Sequence, residues 1–237
     1  MSVDEELLAM TRVTKDMGAT IKPGPMVVAG PDQVVTDAQF ADVAAGSGLN
    51  GPFLADLVVS MAAHESMAIN MYRALRTSVA NPMLKTTFAR FEQDSMAAVA
   101  VHLRLMDELG IPAYYISPAA RMTEGLDGHM IMSMLGAGSA DPLTIDLKAV
   151  EMVLLGSTMC VANTNLLREI GARAEDGAAR LAIEQAVSDL AGAQLAHLEW
   201  ATTTQQRMVL ALVQHPMAQK LAGFAESVIA KLADKMP

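Results

Sequence analysis

Apolar positions from residue 54 onward recur at steps of three and four, the period of a helix with one buried face. Leu54, Val58, Met61, Glu65, Ala68, Tyr72 and Leu75 form one such stripe. Asn81-Pro82 then ends that helix and opens the next, Asn as cap and Pro at the first helical position, where its missing N–H costs nothing. The second stripe runs Phe88, Glu92, Ser95, Val99, His102, Met106 and Leu109 and stops at Gly110-Ile111-Pro112. About thirty residues, 111–140, follow before Asp141-Pro142 repeats the cap-and-Pro signal. The third helix reaches about Arg173, Glu175-Asp176-Gly177 breaks it, and the fourth reaches about Val213. Short loop, long connection, short loop is the order of a four-helix bundle with one long crossover.

The ends of the chain read differently. Residues 1–50 form an N-terminal arm, with an amphipathic piece at 4–17, an irregular Pro- and Gly-rich stretch, and a short helix capped near Thr36-Asp37. His215-Pro216 introduces a C-terminal helix over 215–237. The expected organisation is an arm (1–50), a bundle (51–214) and a final helix.

Sliding the second helical hairpin back by 95 positions lays it on the first without a gap. Asn70 falls on Asn165, Arg73 on Arg168, Asp94 on Asp189, Ala98 on Ala193 and His102 on His197, and the caps Asn81 and Asp176 coincide. The pattern is that of a duplicated hairpin with a pseudo-twofold axis. Within it, HESMAINMYRAL and LLREIGARAEDGAARLAIEQAVSDLAGAQLAHLEW resemble helices of the rubrerythrin-like, ferritin-like superfamily, over residues 54–110 and 149–205.

That resemblance implies an all-α, ferritin-like four-helix bundle and a di-iron site built from one Glu on each of two helices and Glu-x-x-His on each of the others. The six corresponding positions are Glu65, Val99, His102, Cys160, Gln194 and His197. Three expected carboxylates are replaced. A single carboxylate cannot neutralise and bridge two ferrous ions, so a di-iron cluster and ordinary ferroxidase activity are not expected.

Two readings of the remaining set, Glu65, His102, Cys160, Gln194 and His197, stay open. In one it binds a single transition metal, Fe or Zn, as a metal-dependent oxidoreductase would. In the other it is a metal-free polar core of a non-catalytic bundle serving assembly or apolar-ligand binding, and buried Glu65 then needs a partner or a raised pKa. A rival register gathers Glu65, Glu92, Glu151 and His197 but pairs positions the repeat does not equate. His64 points off the stripe and reads as a surface or interface residue. The methionines of HMIMSM (129–134) read as adaptable core filler ahead of a copper site, and GAGSAD (136–141) lacks the Lys and spacing of a phosphate loop. Cys160 has no triad context and reads as a buried thiol.

Composition narrows the setting. The 237 residues are 52% hydrophobic and 18% charged, which excludes a disordered chain. A net charge of −9 argues against nucleic acid or an anionic membrane as partner. The uncharged stretch 152–167 is short of a membrane span. One cysteine and an acidic N-terminus without a signal pattern lead to the expectation of a cytoplasmic protein. Helix three is apolar on more faces than one bundle core covers, which predicts a homo-oligomer with a Met- and Leu-rich interface.

Overall fold

The computed structural model describes residues 37–115, 117–136, 141–175 and 177–214, and the protein is all-helical, with no strand among them. The expected amphipathic piece at 4–17 and the C-terminal helix over 215–237 lie outside the described residues, as do 137–140 of GAGSAD. The helices are α1 (Asp37–Asp42), α2 (Gly51–Ser78), α3 (Pro82–Glu108), α4 (Pro118–Leu135), α5 (Pro142–Gly171) and α6 (Ala178–Gln214). Among the described residues no helix is long and apolar enough to cross a membrane.

Four helices share one start signal, a polar cap followed by Pro within the first turn. The side chains of Asn50, Asn81, Ser117 and Asp141 accept from the backbone N–H of Phe53 (3.2 Å), Met83 (2.8 Å), Ala120 (2.9 Å) and Thr144 (3.0 Å). α3 stops where Gly110 turns to φ +74°, which lets the Ile111 N–H reach back to the Met106 carbonyl at 2.8 Å.

α2 packs on α3 and α5, and α6 packs on α3 and α5. The hairpins α2–α3 and α5–α6 are antiparallel by their short loops. The Ala80 N–H donates to the Asp146 carboxylate at 2.9 Å, and the Glu175 N–H donates to the Ser47 carbonyl at 2.8 Å. The end of α2 therefore lies at the start of α5 and its start at the end of α5. It follows that α3 and α5 run in the same direction.

The connection between them contains a helix, α4, where the sequence reading left only a long segment. Ser117-Pro118 was the available signal, identical in kind to Asn81-Pro82. α4 runs parallel to α2 along three rungs at a constant spacing of 63 residues. The Ala119 N–H donates to Asp56 (3.2 Å), the Ser60 and Thr123 hydroxyls pair (2.8 Å), and His64 pairs with Asp127 (2.7 Å). Tyr114 and Tyr115, at the start of this connection, hold α1: Gln39 donates to the Tyr114 hydroxyl at 2.7 Å, and Tyr115 meets Phe40 edge-on.

The interior is layered. One apolar layer joins Leu54, Val58, Leu105, Leu109, Ile183 and Leu190; another joins Tyr72, Leu75, Phe88, Phe91, Val150 and Val153. Between them, at the middle of all four long helices, lies a stratum of buried polar residues that includes Glu65, Ser95, Ser157, Thr164, Gln194 and His197. Every residue of the first predicted stripe is buried, and so is every residue of the second except Val99, which is half-buried.

Candidate functional site

Within the polar stratum is a cavity of about 110 Å³ with walls from α2, α3, α5 and α6. α2 contributes Glu65, Ala68, Met71 and Tyr72, and α5 contributes Gly156, Ser157 and Cys160. α3 and α6 contribute three pairs of residues equated by the 95-residue offset: Asp94 with Asp189, Ser95 with Leu190, and Ala98 with Ala193. Both aspartates are partly exposed, at 37% and 32% of their side chains, and with exposed Ala97 and Ala193 they border the solvent side.

Glu65 is 3% exposed and is held by protein groups. Gln194 donates its amide N–H to Glu65 Oε1 at 2.6 Å, and the Thr164 hydroxyl donates to the Gln194 carbonyl oxygen, which fixes the amide orientation. The Cys160 thiol completes the network at the carboxyl group. Burial raises the Glu65 pKa, and the bonds from Cys160 and Gln194 with the nearby charge of His64 offset only part of that rise. Burial, reinforced by the Glu65 charge, pushes the Cys160 thiol far up. Burial thus favours the neutral thiol over the thiolate.

His197 stands on the opposite wall. A carboxylate oxygen only accepts, so the 3.0 Å bond to Asp94 Oδ2 places a hydrogen on His197 Nε2. Nδ1 then carries the lone pair, facing the Tyr72 hydroxyl at 3.5 Å. Burial lowers the pKa of His197, only partly opposed by Asp94, and raises that of Tyr72, so a neutral imidazole and a protonated phenol face the cavity. The ring is fixed by Phe91, whose centroid lies 3.8 Å away, and Phe91 in turn meets Trp200 edge-on at 5.2 Å.

The remaining predicted residues lie elsewhere. His102 is 2% exposed but does not line the cavity, and its Nδ1 has no hydrogen-bond partner. Burial, with the nearby His64 charge, lowers its pKa to about 4, so it is a neutral core residue. Val99 is half-buried and also off the cavity wall. Of the rival register, Glu92 is clamped between Arg73 and Arg76, each at 2.7 Å, with Arg73 foremost in holding its carboxyl below the usual range. Glu151 pairs with Lys148 at 2.6 Å, and neither Glu92 nor Glu151 lines the cavity. Among the described residues no three His, Cys, Asp or Glu side chains converge as a metal-holding group. At the six positions that the resemblance equates, Glu65 is the one carboxylate, and Gln194 presents an N–H, a donor, toward it.

Of the two places expected for His64, surface or interface, the structure excludes the exposed surface. His64 is 6% exposed and joins three helices, with Nδ1 at 2.7 Å from Asp127 Oδ2 on α4 and Nε2 at 3.2 Å from the Gly156 carbonyl on α5. Both acceptors lack hydrogens, so both ring nitrogens carry one and the ring is an imidazolium. Burial pulls its pKa down, but the bond and charge of Asp127, helped by Gly156 and Glu65, give a net rise.

Of the residues singled out from the sequence, Glu65, Cys160, Gln194 and His197 line the cavity, and their partners Thr164, Tyr72 and Asp94 were not among them. The signals were present: Thr164 lies one turn beyond Cys160 on the same face, and Asp94 matches Asp189 in the repeat. In HMIMSM, Met130, Ile131 and Met134 pack against the core while Met132 is exposed, as adaptable filler does. No protein-family model, curated protein or solved structure matches the chain.

Proposed function

We propose that the chain is a ferritin-like bundle whose metal centre has been rebuilt into a pocket for a small organic ligand. The packing order of the four long helices, the common direction of α3 and α5, and the passage of the crossover along α2 support the ferritin-like reading. The observation that carries the pocket reading is the 2.6 Å bond from Gln194 to Glu65. A carboxylate used to hold metal keeps its lone pairs for the ion; here an amide, itself locked by Thr164, donates to one of its two oxygens. The space left over is lined by Ala68, Met71, Ala98 and Leu190 beside a few polar atoms, the composition of a small-molecule site.

The rival is a single Fe or Zn ion on Glu65, Cys160 and His197, which line the same cavity. Binding there requires loss of the Cys160 proton and of the Gln194 bond, both of which oppose it.

Assembly belongs to the same proposal. On α5, Leu155, Met159 and Leu166 form an exposed apolar row, 60%, 49% and 44% accessible, which supports a homo-oligomer. The buried free thiol of Cys160 suits a reducing, cytoplasmic setting.

Calorimetric titration with two- to four-carbon alcohols, amides and amines tests the pocket. Binding at one site per chain, lost when Ala98→Leu narrows the solvent side, is the expected result. No binding by any member of the panel would contradict the reading.

A further inference from the structure

We infer that residues 216–232 form a helix that folds back on the end of α6 and covers its exposed apolar side. This surface is separate from the mid-bundle cavity and from the α5 row of Leu155, Met159 and Leu166.

α6 outruns its neighbours. Phe88 meets Trp200 edge-on at 6.0 Å, and α3 begins at Pro82, six residues before Phe88, whereas α6 continues for fourteen residues beyond Trp200. α2 stops at Ser78, six residues after Tyr72, the partner of His197. The last two turns of α6 therefore run past the ends of both helices. The start of α5 lies beside them, since twenty residues from the Thr164–Gln194 bond lead to Thr144 on one helix and to Gln214 on the other. The sequence there, MVLALV over 208–213, is apolar on every side. Leu210 and Val213 are 58% and 71% exposed, and Gln205, Gln206, Val209 and Leu210 line a shallow surface hollow of about 390 Å³. Exposed apolar surface joined to a hollow marks a place where another element docks.

The chain itself supplies the occupant. His215-Pro216 ends α6, because the residue before Pro is pushed out of the helical region and Pro has no N–H to continue the ladder. Beyond it Met217, Leu221, Phe224, Val228 and Leu232 recur at steps of three and four, with Gln219, Glu226 and Asp234 on the opposite face. A reversal centred on residue 215 makes this stripe antiparallel to α6. It sets Leu221 level with Val209, Phe224 with the hollow at Gln206, and Val228 with Thr202, three residues that share one face of α6. Lys231 then comes level with the opposite charge of Glu199. The link is only His215 and Pro216, so the segment meets α6 at an effective concentration of roughly millimolar, ahead of a second copy in dilute solution.

Hydrogen exchange read by mass spectrometry on the full chain tests the docking. Amides of 218–232 are expected to exchange at least about tenfold more slowly than in a synthetic peptide of residues 215–237. Leu210→Asp with Val213→Asp, both outside the cavity wall, should remove that protection and leave exchange in α2 and α3 unchanged. A second measurement does not depend on those variants. Oxidation of a Val209→Cys, Leu221→Cys pair should give a disulfide within one chain, whereas a Val209→Cys, Gln219→Cys pair, its second cysteine on the opposite face, should not. Cys160 is buried and stays out of the reaction. Peptide-like exchange in 218–232, protection that survives the double Asp variant, or equal oxidation of both pairs would overturn the inference. A disulfide formed between chains would also overturn it, by assigning the surface to a second copy.

Discussion

Glu65 and Cys160, on the neighbouring helices α2 and α5, line one cavity at positions that the 95-residue offset equates. A carboxyl group on one hairpin thus stands opposite a thiol at the matching place on the other. Gln194 and Thr164 complete the arrangement, and together the four side chains satisfy one another in the interior.

Gln194 is the hub of that network. Gln194→Leu removes the 2.6 Å bond to Glu65 and the acceptor of the Thr164 hydroxyl, and the expected loss is about 2–3 kcal/mol in urea unfolding. Thr164→Val should cost about 1 kcal/mol, because it frees only the amide carbonyl. A Gln194→Leu protein as stable as wild type would mean that the bonds do not form.

The His64–Asp127 pair ties the crossover helix to the bundle. Asp127→Ala strands a buried imidazolium and should cost about 3 kcal/mol or more, with faster amide exchange along α4. His64→Leu together with Asp127→Leu should recover most of the loss, as apolar replacement of a buried ion pair does. Amide exchange confined to other helices in Asp127→Ala would contradict the role.

His102 makes the fold acid-sensitive. Its folded pKa of about 4 lies below the ordinary 6.5, so between those values the folded state binds fewer protons than the unfolded chain. Stability from this group is therefore full above pH 6.5 and lost as pH falls toward 4, by up to about 3 kcal/mol. His102→Leu should flatten part of that slope, to which His197, shifted the same way, also contributes. Urea midpoints measured from pH 4 to 7 check this. An unchanged slope would place the proton uptake elsewhere.

Much of the helical framework was legible because it depends on local rules: apolar spacing fixed the buried faces of α2 and α3, and cap-and-Pro pairs fixed where helices begin. α4 was missed although Ser117-Pro118 carried the same signal, since its apolar residues, among them exposed Met122 and Leu126, do not form one clean stripe. Its placement comes from polar rungs with α2, and a pairing between helices leaves no periodicity in either one alone. The same limit explains His64. One residue from the stripe, it reads as surface until another helix is known to cover it. At the site, residue identity marked Glu65, Cys160, Gln194 and His197, but which group donates to which depended on Thr164 and Asp94, chosen by the packing of helices distant in sequence.

The start of α4 offers a smaller check. Ser117→Ala removes the cap on Ala120 and the 3.3 Å bond to the Asp56 carbonyl, and should cost about 1 kcal/mol. Circular dichroism with urea unfolding measures it, and Ser117→Asp should retain the cap. Equal stability of wild type and Ser117→Ala would show that Pro118 alone sets the start.

The central claim, that the interior is an organic-ligand pocket and not a metal centre, is tested most directly by metal stoichiometry. The untagged chain, purified from cells grown with added iron and zinc, is assayed by elemental analysis and then titrated anaerobically with Fe(II) and Zn(II). The account predicts less than about 0.1 metal ion per chain and no saturable heat at the cavity, with His197→Ala indistinguishable from wild type. One tightly held ion per chain, lost in both His197→Ala and Glu65→Gln, would contradict it.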